Sequence, residues 1–283
     1  MTPVTKTLSL AGYDICYIDE GSGEPMVFLH NGGGLWQIWV HQIAYFSKTH
    51  RVIAVQWPGY EPGTHVRQPV TLEVYARILR ELVLKLGLSQ MVLVGNCIGA
   101  SVAIHYQNEY PEEVKRLILM NICPGRRAVK PAGLRWLLFD VQHAGLRKAL
   151  THILRLIFSL KYVRTIFPAA LFGSKMPEQD FLYALYKQKL SIPGITDARL
   201  NLLFSSDSYT LKNILKPGTQ LPKSLLIWGE NNHVASLEKE GYYHQQLCQI
   251  PDIHVIAGAG HLAMYESPAE VNTLIENYIA YSG

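Results

Sequence analysis

Between residues 91 and 109 the chain reads as an apolar run, a cysteine with glycine two places before and two places after it, and a helical pattern that begins at once. The segment is Val92-Leu-Val-Gly-Asn-Cys-Ile-Gly-Ala-Ser101, and no other stretch constrains the fold as tightly. A strand over 91–96 and a helix over 98–109 leave Cys97 alone to turn the chain. A side chain on so sharp a turn sits on strained backbone, and Gly95 and Gly99 let the flanking segments approach without Cβ clashes. The pattern is Gly-x-Ser-x-Gly with sulfur in place of oxygen. The helix N-terminus adds N–H groups and the positive end of a dipole, which favour a thiolate. Cys97 is therefore a candidate nucleophile. The competing reading is a buried structural thiol, the commoner fate of a free cysteine, and the strand–turn–helix context weighs against it.

The rest of the chain repeats this alternation. Short, mostly apolar runs at 15–18, 26–30, 51–56, 91–96, 115–122, 224–230 and 253–257 suit strands covered on both faces. Helical patterns lie between them at 36–46, 72–86, 98–109, 237–249 and 268–281. In 72–86, Leu72, Ala76, Leu79, Leu82, Val83 and Leu86 share one face, with Glu73, Arg77, Arg80 and Glu81 off it. Such alternation predicts an α/β fold, a doubly wound and mostly parallel sheet. A chain of 283 residues suits one such domain. From 126 to 216 no strand pattern appears, so this segment is expected to be a helical insertion, with 1–125 and 217–283 forming the core.

Composition excludes several classes. With 48% hydrophobic and 17% charged residues, the chain reads as an ordinary globular protein. No run nears 18 uninterrupted apolar residues, so no transmembrane helix is expected. The N-terminus lacks a basic region followed by a long apolar run, so no secretory signal is expected. Cys16, Cys97, Cys123 and Cys248 show no paired spacing, which fits neither a disulfide framework nor a zinc site. The expectation is a cytoplasmic protein with reduced thiols and neither metal nor cofactor.

Charge is uneven. Arg126, Arg127, Lys130, Arg135, Arg147, Lys148, Arg155, Lys161 and Arg164 face Asp140 alone, so this part of the insertion carries +8 and the rest of the chain −4. Leu146, Leu150, Ile153, Leu154 and Ile157 fall on one helical face; Arg147, Lys148, Thr151, His152 and Arg155 fall on the other. One reading is a lid helix with a solvated basic side. The other is a docking surface for an acidic partner, such as a carrier-protein helix, the phosphates of coenzyme A or anionic lipid. Nothing offers the geometry for nucleic acid.

Further motifs fall in order around Cys97. His30-Asn-Gly-Gly-Gly34 follows a strand, and Trp57-Pro-Gly-Tyr60 follows the next. Pro111-Glu-Glu-Val-Lys-Arg-Leu-Ile-Leu119, Trp228-Gly-Glu-Asn-Asn232 and Gly258-Ala-Gly-His-Leu262 complete the set. Together they resemble the α/β-hydrolase superfamily over nearly the whole chain, in a variant with cysteine where most members carry serine. The resemblance implies His261 as general base, and Gly32 and Ile98 as the N–H donors of an oxyanion hole. It puts Asn232 where the family has its acid and Asn121 at the alternative acid position. Glu230 lies too early in its loop to match unless a rearrangement brings it in, so Asn232, Asn121 and Glu230 all stay open as the residue that orients His261. Asn31 stands where glycine is usual, either as an added donor or as a cap on the loop. Trp36 and Trp39 either wall the pocket or belong to the core.

An amide in the acid position cannot stabilise an imidazolium by charge, but a thiol nucleophile tolerates that, and Cys-His-Asn is a working combination in papain-like proteases. Cys97 and Asn232 are thus mutually consistent. The expected function is acyl transfer through a thioester on Cys97, from a small acyl substrate either free or tethered to a carrier protein or coenzyme A. Hydrolysis of an ester or thioester is the alternative, and a non-catalytic binding protein with a decayed triad is the third. Members with cysteine include aminoacyl shuttles between carrier proteins, polyhydroxyalkanoate synthases and dienelactone hydrolases.

Overall fold

The computed structural model describes residues 3–60, 70–125, 149–150, 152–154, 156–157, 168–174, 179–189, 198, 200, 202, 204–215 and 221–281. Eight strands form one sheet: β1 (Thr5–Leu10), β2 (Tyr13–Glu20), β3 (Pro25–Leu29), β4 (Arg51–Val55), β5 (Met91–Asn96), β6 (Val114–Met120), β7 (Ser224–Gly229) and β8 (Ile253–Ile256). Their spatial order is β1-β2-β4-β3-β5-β6-β7-β8. The pairs from β4 through β8 are parallel, and β1 and β2 are antiparallel additions at one edge. The expected mostly parallel sheet is present. β1 is the one strand absent from the sequence reading.

Helices cover both faces. Residues 36–46 form a 3₁₀ turn (Trp36–Trp39) running into α1 (Val40–Phe46). α2 (Leu72–Leu86) buries Leu72, Tyr75, Ala76, Ile78, Leu79, Leu82 and Val83, and Gly87 ends it in the left-handed region at φ 62°. α3 (Ile98–Glu109) is buried nearly all round, which explains why it carries so little charge. It lies against β3, β5 and β6, under the centre of the sheet.

Only helices and loops occur among the described residues of the insertion. Arg126 to Lys148 and Thr151, Arg155, Lys161 and Arg164 lie outside the described residues, and with them the whole predicted basic face except His152. The apolar face is only partly buried among the described residues: Leu150 and Leu154, an i, i+4 pair, are buried, whereas Ile153 and Ile157 are exposed together with Leu156. No helix among the described residues is long and apolar enough to cross a membrane.

Candidate active site

The site grows from the C-terminal ends of β3, β5, β6, β7 and β8. At the end of β5, Cys97 occupies φ 56°, ψ −113°, a conformation that only close surrounding packing maintains for a non-glycine residue. The packing is visible in its glycines. A Cβ on Gly95 would lie 2.4 Å from the Gly99 carbonyl carbon and oxygen, and one on Gly99 would lie 2.1 Å from the Leu29 carbonyl oxygen of β3. The turn is also pinned from β6, because Cys97 N–H donates to the Met120 carbonyl at 2.9 Å.

The Cys123 side chain and burial together push the Cys97 thiol well above its ordinary range, and the backbone amides of Gly32 and Ile98, the two expected to form an oxyanion hole, oppose them without prevailing. Gly32 belongs to a loop built by His30. The His30 Nδ1 bonds the Asn31 carbonyl at 2.7 Å, and Nε2 receives the Trp57 N–H at 3.0 Å. A carbonyl can only accept and a backbone N–H can only donate, so the ring is a neutral imidazole with its proton on Nδ1. Burial pushes its pKa down to about 3. Asn31 folds onto its own loop, with Nδ2 donating to the Gly32 carbonyl at 3.4 Å, so it caps the loop. Trp36 is a core residue whose N–H donates to Gln56.

His261 sits after β8 and is wholly buried. Its backbone is held in three places. Its N–H donates to the Leu171 carbonyl at 2.8 Å, and its carbonyl accepts from Asn96 Nδ2 at 3.2 Å and Asn121 Nδ2 at 3.1 Å. Asn96 immediately precedes Cys97, so the histidine loop and the cysteine turn share a brace. Neither ring nitrogen of His261 has a hydrogen-bond partner among the described residues. Burial without a countercharge pushes this imidazole also down to about 3.

Asn232 does not orient that ring. Its Oδ1 accepts the N–H groups of Val234 and Ala235, both at 3.0 Å, and its Nδ2 donates to Asn121 Oδ1 at 3.0 Å. The carbonyl oxygen that could have taken a histidine proton is occupied by its own turn. Asn121 in turn donates to Asn96 Oδ1 at 3.2 Å and accepts the Gly229 N–H at 3.1 Å. Both acid positions are therefore joined in one chain of buried amides, Asn232 to Asn121 to Asn96, that ends on the His261 carbonyl. Glu230 is exposed and accepts the Gly258 N–H at 2.8 Å, away from this chain.

Residues 26–274 match the model of the alpha/beta hydrolase family. The chain belongs to the α/β hydrolase family. A 2-hydroxy-6-oxononadienedioate/2-hydroxy-6-oxononatrienedioate hydrolase of Comamonas testosteroni is 27% identical, covering 96% of this chain and 93% of its own. Epoxide hydrolase 3 of Mus musculus is 24% identical, covering 89% of this chain and 70% of its own. The malate-bound thermophilic esterase of Thermogutta terrifontis shares the fold with a TM-score of 0.75 at 20% identity, covering 98% of each chain. These relatives are hydrolases with different substrates, and fold alone does not choose among their chemistries.

Three features of this α/β hydrolase were not singled out in the sequence. Cys123, just past β6, acts on Cys97, and the interaction raises the Cys97 thiol while it lowers that of Cys123. Leu202 of the insertion covers Gly32, since a Cβ there would meet its Cδ2 at 2.2 Å. Glu266 accepts the N–H groups of Gly260 and Gly173, both at 2.8 Å, and so clamps the insertion to the histidine loop. Among the described residues no group of three or more His, Cys, Asp and Glu side chains could hold a metal ion.

The two buried imidazoles make an acid-sensitive fold. Both stay neutral when folded and titrate near 6.5 when unfolded, so the unfolded chain binds more protons between about pH 3 and 6.5. Stability is complete above that window and is lost as pH falls through it. Each histidine contributes up to about 1.4 kcal/mol per pH unit there. Urea unfolding midpoints should fall steeply from pH 6 to pH 4, with net uptake of about two protons on unfolding at pH 5. A flat profile with no proton uptake would contradict the burial of both rings.

Proposed function

We propose that this α/β hydrolase cleaves acyl substrates through a thioester on Cys97, with His261 handling the protons. The observation that carries the reading is Cys97 on a strained turn at a helix N-terminus, with the backbone amides of Gly32 and Ile98 acting on it. Those N–H groups suit the oxyanion once its carbonyl carbon is attacked, while Cys123 and burial keep the thiol of the free protein protonated. In the proposed cycle, His261 takes the Cys97 proton as the sulfur attacks a thioester or ester carbonyl, the oxyanion forms against Gly32 and Ile98, and His261 passes that proton to the leaving group. That last role requires the imidazole to turn toward the nucleophile as substrate binds, since catalytic hydrogen bonds often tighten only in the complex. Asn232, in this reading, holds the histidine loop through Asn121 and does not bond the ring.

Transfer to a thiol or amine is favoured over release to water. Water attack needs a strong base and a stabilised imidazolium, and the amides around His261 carry no charge. Exchange between thiols is nearly isoenergetic. The second reading, hydrolysis, is supported by the names of the relatives. A carrier protein or coenzyme A as the acyl donor stands on the basic sequence of the insertion.

Alkylation with and without substrate tests the site. Iodoacetamide at alkaline pH, where thiolate forms, should modify Cys97, and preincubation with a short acyl thioester should protect Cys97 and leave Cys16 and Cys248 as reactive as before. Peptide mapping that found Cys97 labelled equally with and without thioester would sink the proposal.

A further inference from the structure

The His261 ring has no hydrogen bond of its own among the described residues, so its aim is set by its backbone and by the packing around it. One side of that backbone is held by the core, through Asn96 and Asn121. The other side is held by the insertion. His261 N–H donates to the Leu171 carbonyl at 2.8 Å, and the preceding Gly260 N–H donates to Glu266 Oε1, also at 2.8 Å. The second oxygen of the same carboxylate, Oε2, takes the Gly173 N–H at 2.8 Å. Backbone meets backbone along this seam. A Cβ on Gly260 would lie 2.3 Å from the Gly173 nitrogen, and one on Gly173 would lie 2.2 Å from the Gly258 carbonyl oxygen.

Neighbouring residues reinforce the seam. Tyr265 donates its O–H to Asp180 Oδ2 at 3.1 Å, and Asp180 Oδ1 accepts the Tyr183 N–H at 2.9 Å where the helix Phe181–Lys189 begins. The Phe172 ring lies 6.1 Å from that of Tyr183 and 6.4 Å from that of Tyr265. Leu171, Phe172 and Leu182 are buried there. Burial raises the Glu266 carboxyl above its ordinary value, and the amides of Gly173 and Gly260 pull it back toward the ionised form. A backbone N–H can only donate, so holding two of them takes two acceptor oxygens, which a carboxylate supplies and a carboxamide does not.

We propose that Glu266 is a positioning residue for His261, a two-armed carboxylate that makes seating of the insertion at 171–173 a condition for the base to reach Cys97. The inference rests on the thioester reading for what His261 does, and on the hydrogen bonds alone for how it is held. In that cycle His261 takes a proton from Cys97 and passes it on, and misplacing such a group by about 1 Å costs up to about a hundredfold in rate. The same insertion lays Leu202 over Gly32. With Glu266 in place, covering an oxyanion donor and aligning the base go together. Without it, the insertion loses a tie to the histidine loop, and the Leu171 carbonyl no longer fixes the His261 N–H.

The test compares Glu266→Gln with the unaltered chain. The variant keeps the shape and one acceptor but turns an NH2 toward an N–H donor, so one arm is lost. Single-turnover acylation by a short acyl thioester, read by intact-protein mass spectrometry, separates rate from amplitude. The rate constant should fall about tenfold or more, while the final acylated fraction stays the same and the half-saturating thioester concentration moves less than about twofold. Loss of amplitude at an unchanged rate, or no change in either, would overturn the proposal. Glu266→Asp, one methylene too short to reach both amides, should act alike if the glutamine variant folds poorly. Should Cys97 of the unaltered chain not acylate, the thioester reading fails separately, and amide hydrogen exchange decides the role of Glu266. The His261 and Gly173 amides should exchange about tenfold faster in the variant, with no change at the Trp57 amide that bonds His30. Faster exchange at Gly173 with His261 still protected would overturn the coupling.

Discussion

Gly99→Ala should lower the thermal midpoint by roughly 10 °C or abolish soluble expression, although it places the best helix former inside a helix. Propensity alone predicts the opposite, a gain of about 1 kcal/mol over glycine. The contact geometry decides the sign. The new Cβ would lie 2.1 Å from the Leu29 carbonyl oxygen and 2.6 Å from its carbon. Those atoms belong to a strand paired with β4 on one side and β5 on the other, Leu29 facing Gly95, so the backbone cannot yield without breaking the sheet centre. Overpacking of this kind costs about 3 kcal/mol or more, and a midpoint moves about 2–4 °C per kcal/mol in domains of this size. Differential scanning calorimetry reads the effect directly. An unchanged or raised midpoint would mean that α3 does not press on β3, and the construction of the Cys97 turn would be wrong.

The larger effect on chemistry concerns the nucleophile. Cys97→Ala should reduce acyl-group turnover by about 10³-fold or more, as removal of a covalent nucleophile does elsewhere. Cys97→Ser should not rescue it, although serine is the usual residue at this position in the family. A hydroxyl must be deprotonated as it attacks, and loss of the carboxylate from a serine triad costs about 10⁴. Here both acid positions are amides, and the His261 ring has no hydrogen-bond partner among the described residues. A serine variant as active as the unaltered chain would show that some other group serves His261 as its acid.

Much of this is legible in the sequence. The Cys97 turn declares itself because its chemistry is local: a strand, two glycines and a helix within one short segment. The parallel strands were equally plain, since burial on both faces leaves continuous apolar runs. β1 escaped because Thr5–Leu10 is an edge strand, mostly exposed, whose polar alternation carries little hydrophobic signal. It is held by pairing to β2 through a tight turn at Ala11 and Gly12, both at positive φ. Residues 237–249 read as one helix, but a π turn at Leu237–Gly241 precedes the helix Tyr242–Cys248.

The site divides in the same way. Asn121 and Asn232 were recognisable at the two acid positions, yet their bond to each other, in place of one to His261, depends on where the loops after β6 and β7 turn. Cys123 gave no signal, because its closeness to Cys97 arises from the pairing of β5 with β6 and the left-handed kink at Asn121. Glu266 carries no signal of its own, because its partners Gly173 and Gly260 come from segments that meet only in the folded chain.

The most direct test of the thioester reading is intact-protein mass spectrometry after brief incubation with a short acyl thioester. A single acyl group should appear on the protein, map to Cys97, persist longer in water than after addition of a thiol acceptor, and be absent from Cys97→Ala. Acylation elsewhere, or undiminished turnover in Cys97→Ala, would contradict it.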